Sequence, residues 1–244
     1  MTKAAALALA GALLLSGCSP SLRATERNRV MQRILPSTVQ LRAEREGGPR
    51  RSASGIVIAS DAPSSRSWIL TTRHFLDPPA RQEVYLSSRE RGGRIKAQVV
   101  AVSTGPDLAV LEVAGLSLPP VTLQGITRLG DEVWVTAYPW GRRLTVVSGV
   151  ISQLVADEGE LVTEGIPRMV DASVSYGASG GGVFDAGSGA LVAIVEGYRT
   201  AHIPLPNSPD QVIQMPVPGE TTVIAVQTIV QFLKASGLER LLPR

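Results

Sequence analysis

Ser179 stands in a turn of glycines, Gly177-Ala178-Ser179-Gly180-Gly181. Glycine reaches backbone conformations that other residues avoid, so such a turn can aim several N–H groups at one point. A hydroxyl is a weak nucleophile until a base takes its proton. Covalent chemistry at Ser179 therefore requires a histidine and a carboxylate. The chain has two histidines, His74 and His202. His74 ends the run Trp68-Ile69-Leu70-Thr71-Thr72-Arg73-His74, whose apolar and β-branched residues predict a strand. Asp107 precedes Leu108-Ala109-Val110-Leu111-Glu112-Val113, a second predicted strand. Both polar groups thus lie at strand ends, held by a sheet and reachable from solvent. The order is His74, Asp107, Ser179, with gaps of 33 (107 − 74) and 72 (179 − 107) residues.

Taken singly, each residue has an ordinary structural role. An Asp after Pro106 is commonly a turn residue, and a Gly-Ser-Gly cluster is commonly a loop. The same five residues also fit G-x-S-x-G, the nucleophile elbow of α/β-hydrolases. That fold needs Ser, then an acid, then His, with crossover helices. After Ser179 the chain supplies only His202, with Asp185 the only Asp between them, and no helical pattern of a dozen residues follows.

The elements that must position these groups are short apolar runs broken by Gly, Pro, Asp and Ser. Predicted strands are 38–43, 55–59, 68–72, 83–86, 96–102 and 108–113, then, past the break at Leu118-Pro119-Pro120, 132–137, 144–152, 160–163, 169–172, 182–184, 190–196 and 222–225. Many short strands at this spacing predict an all-β barrel or sandwich. Val226, Ile229, Val230 and Leu233 recur at helical spacing before Gly237. A short helix is predicted over 26–35, stopped by Pro36.

Five blocks in order resemble the signatures of trypsin-like serine proteases, most closely the bacterial HtrA/DegP-type branch. They are Ser54-Gly55-Ile56-Val57-Ile58, Ile69-Leu70-Thr71-Thr72-Arg73-His74, Asp107-Leu108-Ala109-Val110-Leu111, Asp171-Ala172 and Gly177-Ala178-Ser179-Gly180-Gly181. The resemblance implies an all-β chymotrypsin/trypsin-like fold of two Greek-key β-barrels with a C-terminal helix. The barrels would span about 36–118 and 121–225, the helix 226–236, and a tail 238–244. It implies a serine endopeptidase acting on proteins or peptides without metal or cofactor. Ser179 would attack the scissile carbonyl, His74 would move its proton, and Asp107 would hold the imidazole. The N–H groups of Gly177 and Ser179 would form the oxyanion hole. Ser173 would floor the primary specificity pocket. Val195, Glu196, Gly197 and Tyr198 would line its wall and pair with the substrate backbone. The uncharged Ser173 argues against a strong preference for Lys or Arg. Ala178 stands where digestive trypsins carry an acidic residue and where the HtrA branch usually has Asn, so activation by a freed N-terminus is not expected. The PDZ domain common in that branch is not expected either. The alternative is a binding or scaffold lipoprotein on an inactive protease fold.

Residues 1–17 read as a signal peptide: Lys3, then an apolar run from Ala4 to Leu15 that is short for a membrane span. Leu15-Ser16-Gly17-Cys18 resembles a bacterial lipoprotein signal, which implies lipidation of Cys18, the chain's single cysteine, and a place in the cell envelope facing the periplasm or exterior. Residues 18–35 would form a tether with a possible short helix. Arg23 to Arg51 holds eight arginines against three glutamates, an excess that suits anionic headgroups or a solvated tether. A net charge of +3 leaves no nucleic-acid footprint. No aromatic residue lies between Cys18 and Arg66, which favours a monomer over the trimer common in the branch.

Overall fold

The computed structural model describes residues 22–44, 50–77, 83–88, 93–205 and 208–242. The signal segment and Cys18 lie outside the described residues. Six antiparallel strands form a first closed barrel: β1 (Thr38–Glu44), β2 (Arg51–Asp61), β3 (Arg66–Thr71), β4 (Glu83–Ser88), β5 (Gly93–Val102) and β6 (Ala109–Ala114), in the order β1-β2-β3-β6-β5-β4. A minor pair, β7 (Thr127–Arg128) with β10 (Glu164–Gly165), flanks the second barrel. That barrel comprises β8 (Glu132–Ala137), β9 (Thr145–Leu154), β11 (Pro167–Asp171), β12 (Gly182–Asp185), β13 (Leu191–Leu205) and β14 (Ser208–Ala225). Its order, β11-β14-β13-β12-β8-β9, closes on itself and repeats the first barrel's connectivity when counted from β8. The protein has the two-barrel, trypsin-like fold.

Alternation along the strands divides the core. In β2, Val57 points into the first barrel with Leu41, Ile69, Leu86 and Leu111. Its neighbours Ile56 and Ile58 point the other way, into a cluster with Trp68, Leu70, Val110, Phe184, Leu191 and Ile194. That second cluster is the seam between the barrels. Strands β2, β3 and β6 are therefore buried on both faces, which is why their sequences are nearly continuous apolar runs. Val133, Val135, Ile151, Val170, Val183 and Val192 fill the second barrel. Each large side chain so buried contributes about 1.5–3 kcal/mol.

Two helices close the seam. From α2 (Val226–Ala235), Val226, Ile229, Phe232 and Leu233 enter it. From α1 (Leu22–Ile34), Val30 and Ile34 do the same. The segment expected to be a tether is thus a docked helix over most of its length. Two of its arginines are used locally: the Arg27 guanidinium lies 5.2 Å from the Trp134 ring centroid, and Arg33 donates to the Ser188 carbonyl at 2.8 Å. Among the described residues no helix is long and apolar enough to cross a membrane.

Two strand expectations differ from the structure. Residues 160–163 form no strand; only Glu164 and Gly165 pair, with Arg128 and Thr127. Strands β13 and β14 run far beyond their predicted limits at residues 196 and 222. Past the barrel they continue as a two-stranded ribbon through Thr200↔Pro216, His202↔Gln214 and Pro204↔Val212. Pro204 and Pro216 are tolerated in this ribbon because it has open edges.

Candidate active site

The first barrel brings His74 and Asp107 together. Strand β3 ends at Thr71, and a single 3-10 turn, Arg73–Leu76, carries the histidine. Asp107 sits just before β6, the strand paired with β3 through Thr71↔Ala109. The His74 amide donates to Asp107 Oδ1 at 2.8 Å, and His74 Nδ1 lies 2.5 Å from Asp107 Oδ2. The Arg73 amide donates to the Asp107 carbonyl at 3.3 Å, and Arg73 Nε stands 4.0 Å from Oδ1. Both carboxylate oxygens are therefore engaged. Burial acts to raise the Asp107 carboxyl. The hydrogen bonds from the His74 ring and amide and the nearby positive charge outweigh it, and hold the group below the usual carboxylate range. With Nδ1 committed to Asp107, Nε2 is the ring nitrogen left for other partners.

The second barrel supplies Ser179. Between β11 and β12 the chain makes tight turns, Ala178 N–H to Ser175 C=O at 3.0 Å and Gly181 N–H to Ala178 C=O at 2.8 Å. Gly177 and Gly180 take φ of +89° and +80°, where side chains are rarely tolerated. A Cβ on Gly180 would strike the Ser54 carbonyl and Thr71 Oγ1. His74, Gly177 and Ser179 line one open cleft of about 650 Å³, together with Tyr176, Glu196, Gly197 and Tyr198.

This turn is fastened to the first barrel through β2. The Ser54 amide donates to the Ser179 carbonyl at 2.9 Å. Ser54 Oγ donates to the Gly177 carbonyl at 2.9 Å and accepts from the Tyr138 amide at 2.8 Å. The β8–β9 turn braces the other side: the Trp140 amide donates to the Tyr176 carbonyl at 2.7 Å. A trans peptide points its C=O and N–H in opposite directions. The N–H of Gly177, in the same peptide unit as that carbonyl, is thereby turned away from Trp140. Trp140 itself holds a left-handed φ of 57°, and its ring packs on Tyr176 with centroids 5.4 Å apart.

Residues 53–194 match the trypsin-like peptidase domain family. The chain belongs to that family. This peptidase domain is 32% identical over 146 residues to a probable periplasmic serine endoprotease, DegP-like, of Halomonas elongata, a match covering 56% of this chain and 27% of that protein. It is 29% identical over 196 residues to the protein so described in Brucella suis, covering 79% of this chain and 35% of the relative. The chain thus spans about a third of the length of these curated relatives. Among solved structures, an inactive form of Rv3671c from M. tuberculosis superposes with a TM-score of 0.63 at 20% identity, over 89% of this chain and 94% of that one. The serine endoprotease from Yersinia pestis gives 0.62 at 21%, over 88% and 66%. At such identities these likenesses speak for the fold.

Of the residues singled out in the peptidase sequence, His74, Gly177, Ser179, Glu196, Gly197 and Tyr198 meet at the cleft, with Asp107 behind His74. Val195 is buried in the second barrel, where it pairs with Gly180 and Gly181. Ser173 is exposed just past β11 and is not among the cleft-lining residues. The Ala178 methyl is buried in the barrel core, so the turn is held by backbone bonds. Ser54, Trp140 and Tyr176 went unremarked as site residues because their parts are played by backbone groups or by a single hydroxyl. Only the register of Ser54 in its block hinted at a role. Ser54→Ala deletes two buried hydrogen bonds. It is expected to lower stability by about 1–3 kcal/mol, read from the urea midpoint.

Proposed function

We propose that this domain is a serine endopeptidase that cleaves protein or peptide substrates through an acyl-enzyme. The observation that carries the reading is the two-point grip of Asp107 on His74, in the cleft that Ser179 lines. The Ser179 oxygen attacks the scissile carbonyl carbon while His74 Nε2 takes the hydroxyl proton. The tetrahedral oxyanion is met by the N–H groups of Gly177 and Ser179, the first of them aimed by the Trp140–Tyr176 hydrogen bond. His74 then gives its proton to the leaving amine and the C–N bond breaks. Water, deprotonated by His74, repeats the attack, releases the acid and restores the serine. Substrate lies along Glu196, Gly197 and Tyr198, pairing with β13 as an added strand.

The test is covalent labelling with a fluorophosphonate. Wild-type protein is expected to be labelled at Ser179, and Ser179→Ala protein is not. A wild-type chain that stays unlabelled would favour the scaffold reading.

The protein is further proposed to be held in the bacterial envelope by lipid on Cys18. Support comes from the Leu15-Ser16-Gly17-Cys18 pattern and from relatives described as periplasmic. Several acyl chains anchor stably, each buried methylene adding about 0.8 kcal/mol. Cys18→Ala is expected to leave the membrane fraction after a carbonate wash; equal membrane retention of variant and wild type would refute the anchor.

A further inference from the structure

The β13–β14 ribbon continues the strand that walls the cleft, and among the described residues both of its faces are exposed. We infer that the outer edge of β13 beyond Tyr198 is a second substrate-binding surface. It would take the extended, apolar segment that precedes the residue at the scissile bond. The inference rests on the peptidase reading given above.

Three observations converge on it. The first is continuity. Strand β12 pairs with β13 only over 191–194, and Val195 bonds to Gly180 and Gly181. From Glu196 to Leu205 the edge opposite β14 has no backbone partner among the described residues. A chain added there at Glu196–Tyr198 can simply run on.

The second is an exposed apolar face. The cross-strand pairs Ala201↔Met215 and Ile203↔Ile213 put apolar side chains on one face of the ribbon. The other face is mixed, with Thr200, His202 and Gln214 beside Pro204, Val212 and Pro216. Ile203, Ile213 and Met215 are each about half exposed. A bare two-stranded ribbon is marginally stable in water, and a third strand with apolar side chains would cover this face.

The third is an asymmetry between the edges. Proline has no N–H, so a ladder that keeps its hydrogen bonds turns proline nitrogens outward. Pro216, paired with Thr200, then interrupts the outer edge of β14 next to the barrel. On β13 the outward positions are Thr200 and His202, with Pro204 only at the far end. The edge open to strand addition is the one leading from Ser179; the other is blocked, as exposed edges commonly are.

At about 3.3–3.4 Å per residue, the segment bound on the ribbon lies roughly five to nine residues before the scissile bond. Apolar side chains at alternate positions there would meet Ala201 and Ile203. Substrates with an apolar segment at that upstream distance would thus bind more tightly than short peptides.

The test is fluorescence anisotropy on full-length Ser179→Ala protein, so that binding is read without turnover. One peptide carries about four residues before the scissile position. A second carries about ten, with Val or Ile at alternate upstream positions, and a third places Ser at those positions. The long apolar peptide is expected to bind at least about tenfold tighter than the other two, the scale set by burying one or two aliphatic side chains. Adding Ile203→Thr and Ile213→Thr keeps strand propensity while removing apolar surface. That change should abolish the gain and leave the short peptide's Kd unaltered. Equal Kd for all three peptides, or equal loss for long and short in the Thr variant, would overturn the inference. So would a Thr variant that changes only the oligomeric state, which would assign the apolar face to a second copy. A wild-type chain unreactive to fluorophosphonate would count against the peptidase reading and leave these binding results standing.

Discussion

Ser179→Ala is expected to lower peptide hydrolysis by about 10⁴–10⁶-fold, the range typical of a lost triad nucleophile. The fold should survive it. What ties this residue to the rest of the protein is its carbonyl, bonded to the Ser54 amide, and alanine keeps that bond. The neighbouring turns at Ala178 and Gly181 are likewise backbone turns. Turnover of casein should therefore collapse while the thermal midpoint stays near that of wild type. Casein cleavage at the wild-type rate would remove Ser179 from the mechanism, and a matching collapse of the midpoint would make the loss structural.

Asp107→Asn is expected to cost about 10⁴-fold in kcat, the size of effect found when a chymotrypsin-type triad loses its carboxylate but keeps its shape. The reason lies in the two contacts on His74. An ionised Asp107 accepts from both the ring and the amide, so the ring proton stays on Nδ1 and Nε2 remains free to take the serine proton. An amide can donate to Nδ1 and favour the opposite tautomer. KM should change little, since Asp107 is not among the residues lining the cleft. The substitution also changes the response to acid. The Asp107 carboxyl is held below its ordinary value in the folded state. It therefore adds stability above the unfolded value, about pH 3.9. That contribution is lost as pH falls through the folded value. Wild-type stability should thus decline more steeply than that of the Asn variant below about pH 4. Parallel acid-unfolding curves for the two proteins would contradict the assigned electrostatics.

Much of the frame was legible in the chain because alternation and apolar runs report burial directly. Strands with two buried faces, such as β3 and β6, read as unbroken apolar segments that end at His74 and begin after Asp107. The glycine turn was legible because positive φ leaves a compositional mark. Other features leave no such mark. The common connectivity of the two barrels is invisible as a repeat, since any well-sized apolar residue satisfies a barrel core. Helix α1 reads as a charged tether because only Val30 and Ile34 enter the seam, while Arg27 and Arg33 settle on the second barrel. The ribbon was hidden by Pro204, Pro209, Pro216 and Pro218, which read as loop residues when the edge they face is unknown. The brace on Gly177 depends on the amide of Trp140, and a backbone donor has no letter in a sequence.

The fastening of Ser179 and Gly177 to Ser54 makes the proposed catalytic centre a joint between two barrels. Each barrel closes its own ladder and fills its own interior. The proposed activity therefore depends on their contact as well as on the integrity of each half. A small shift along the seam would move Ser179 relative to His74 while each barrel keeps its own ladder.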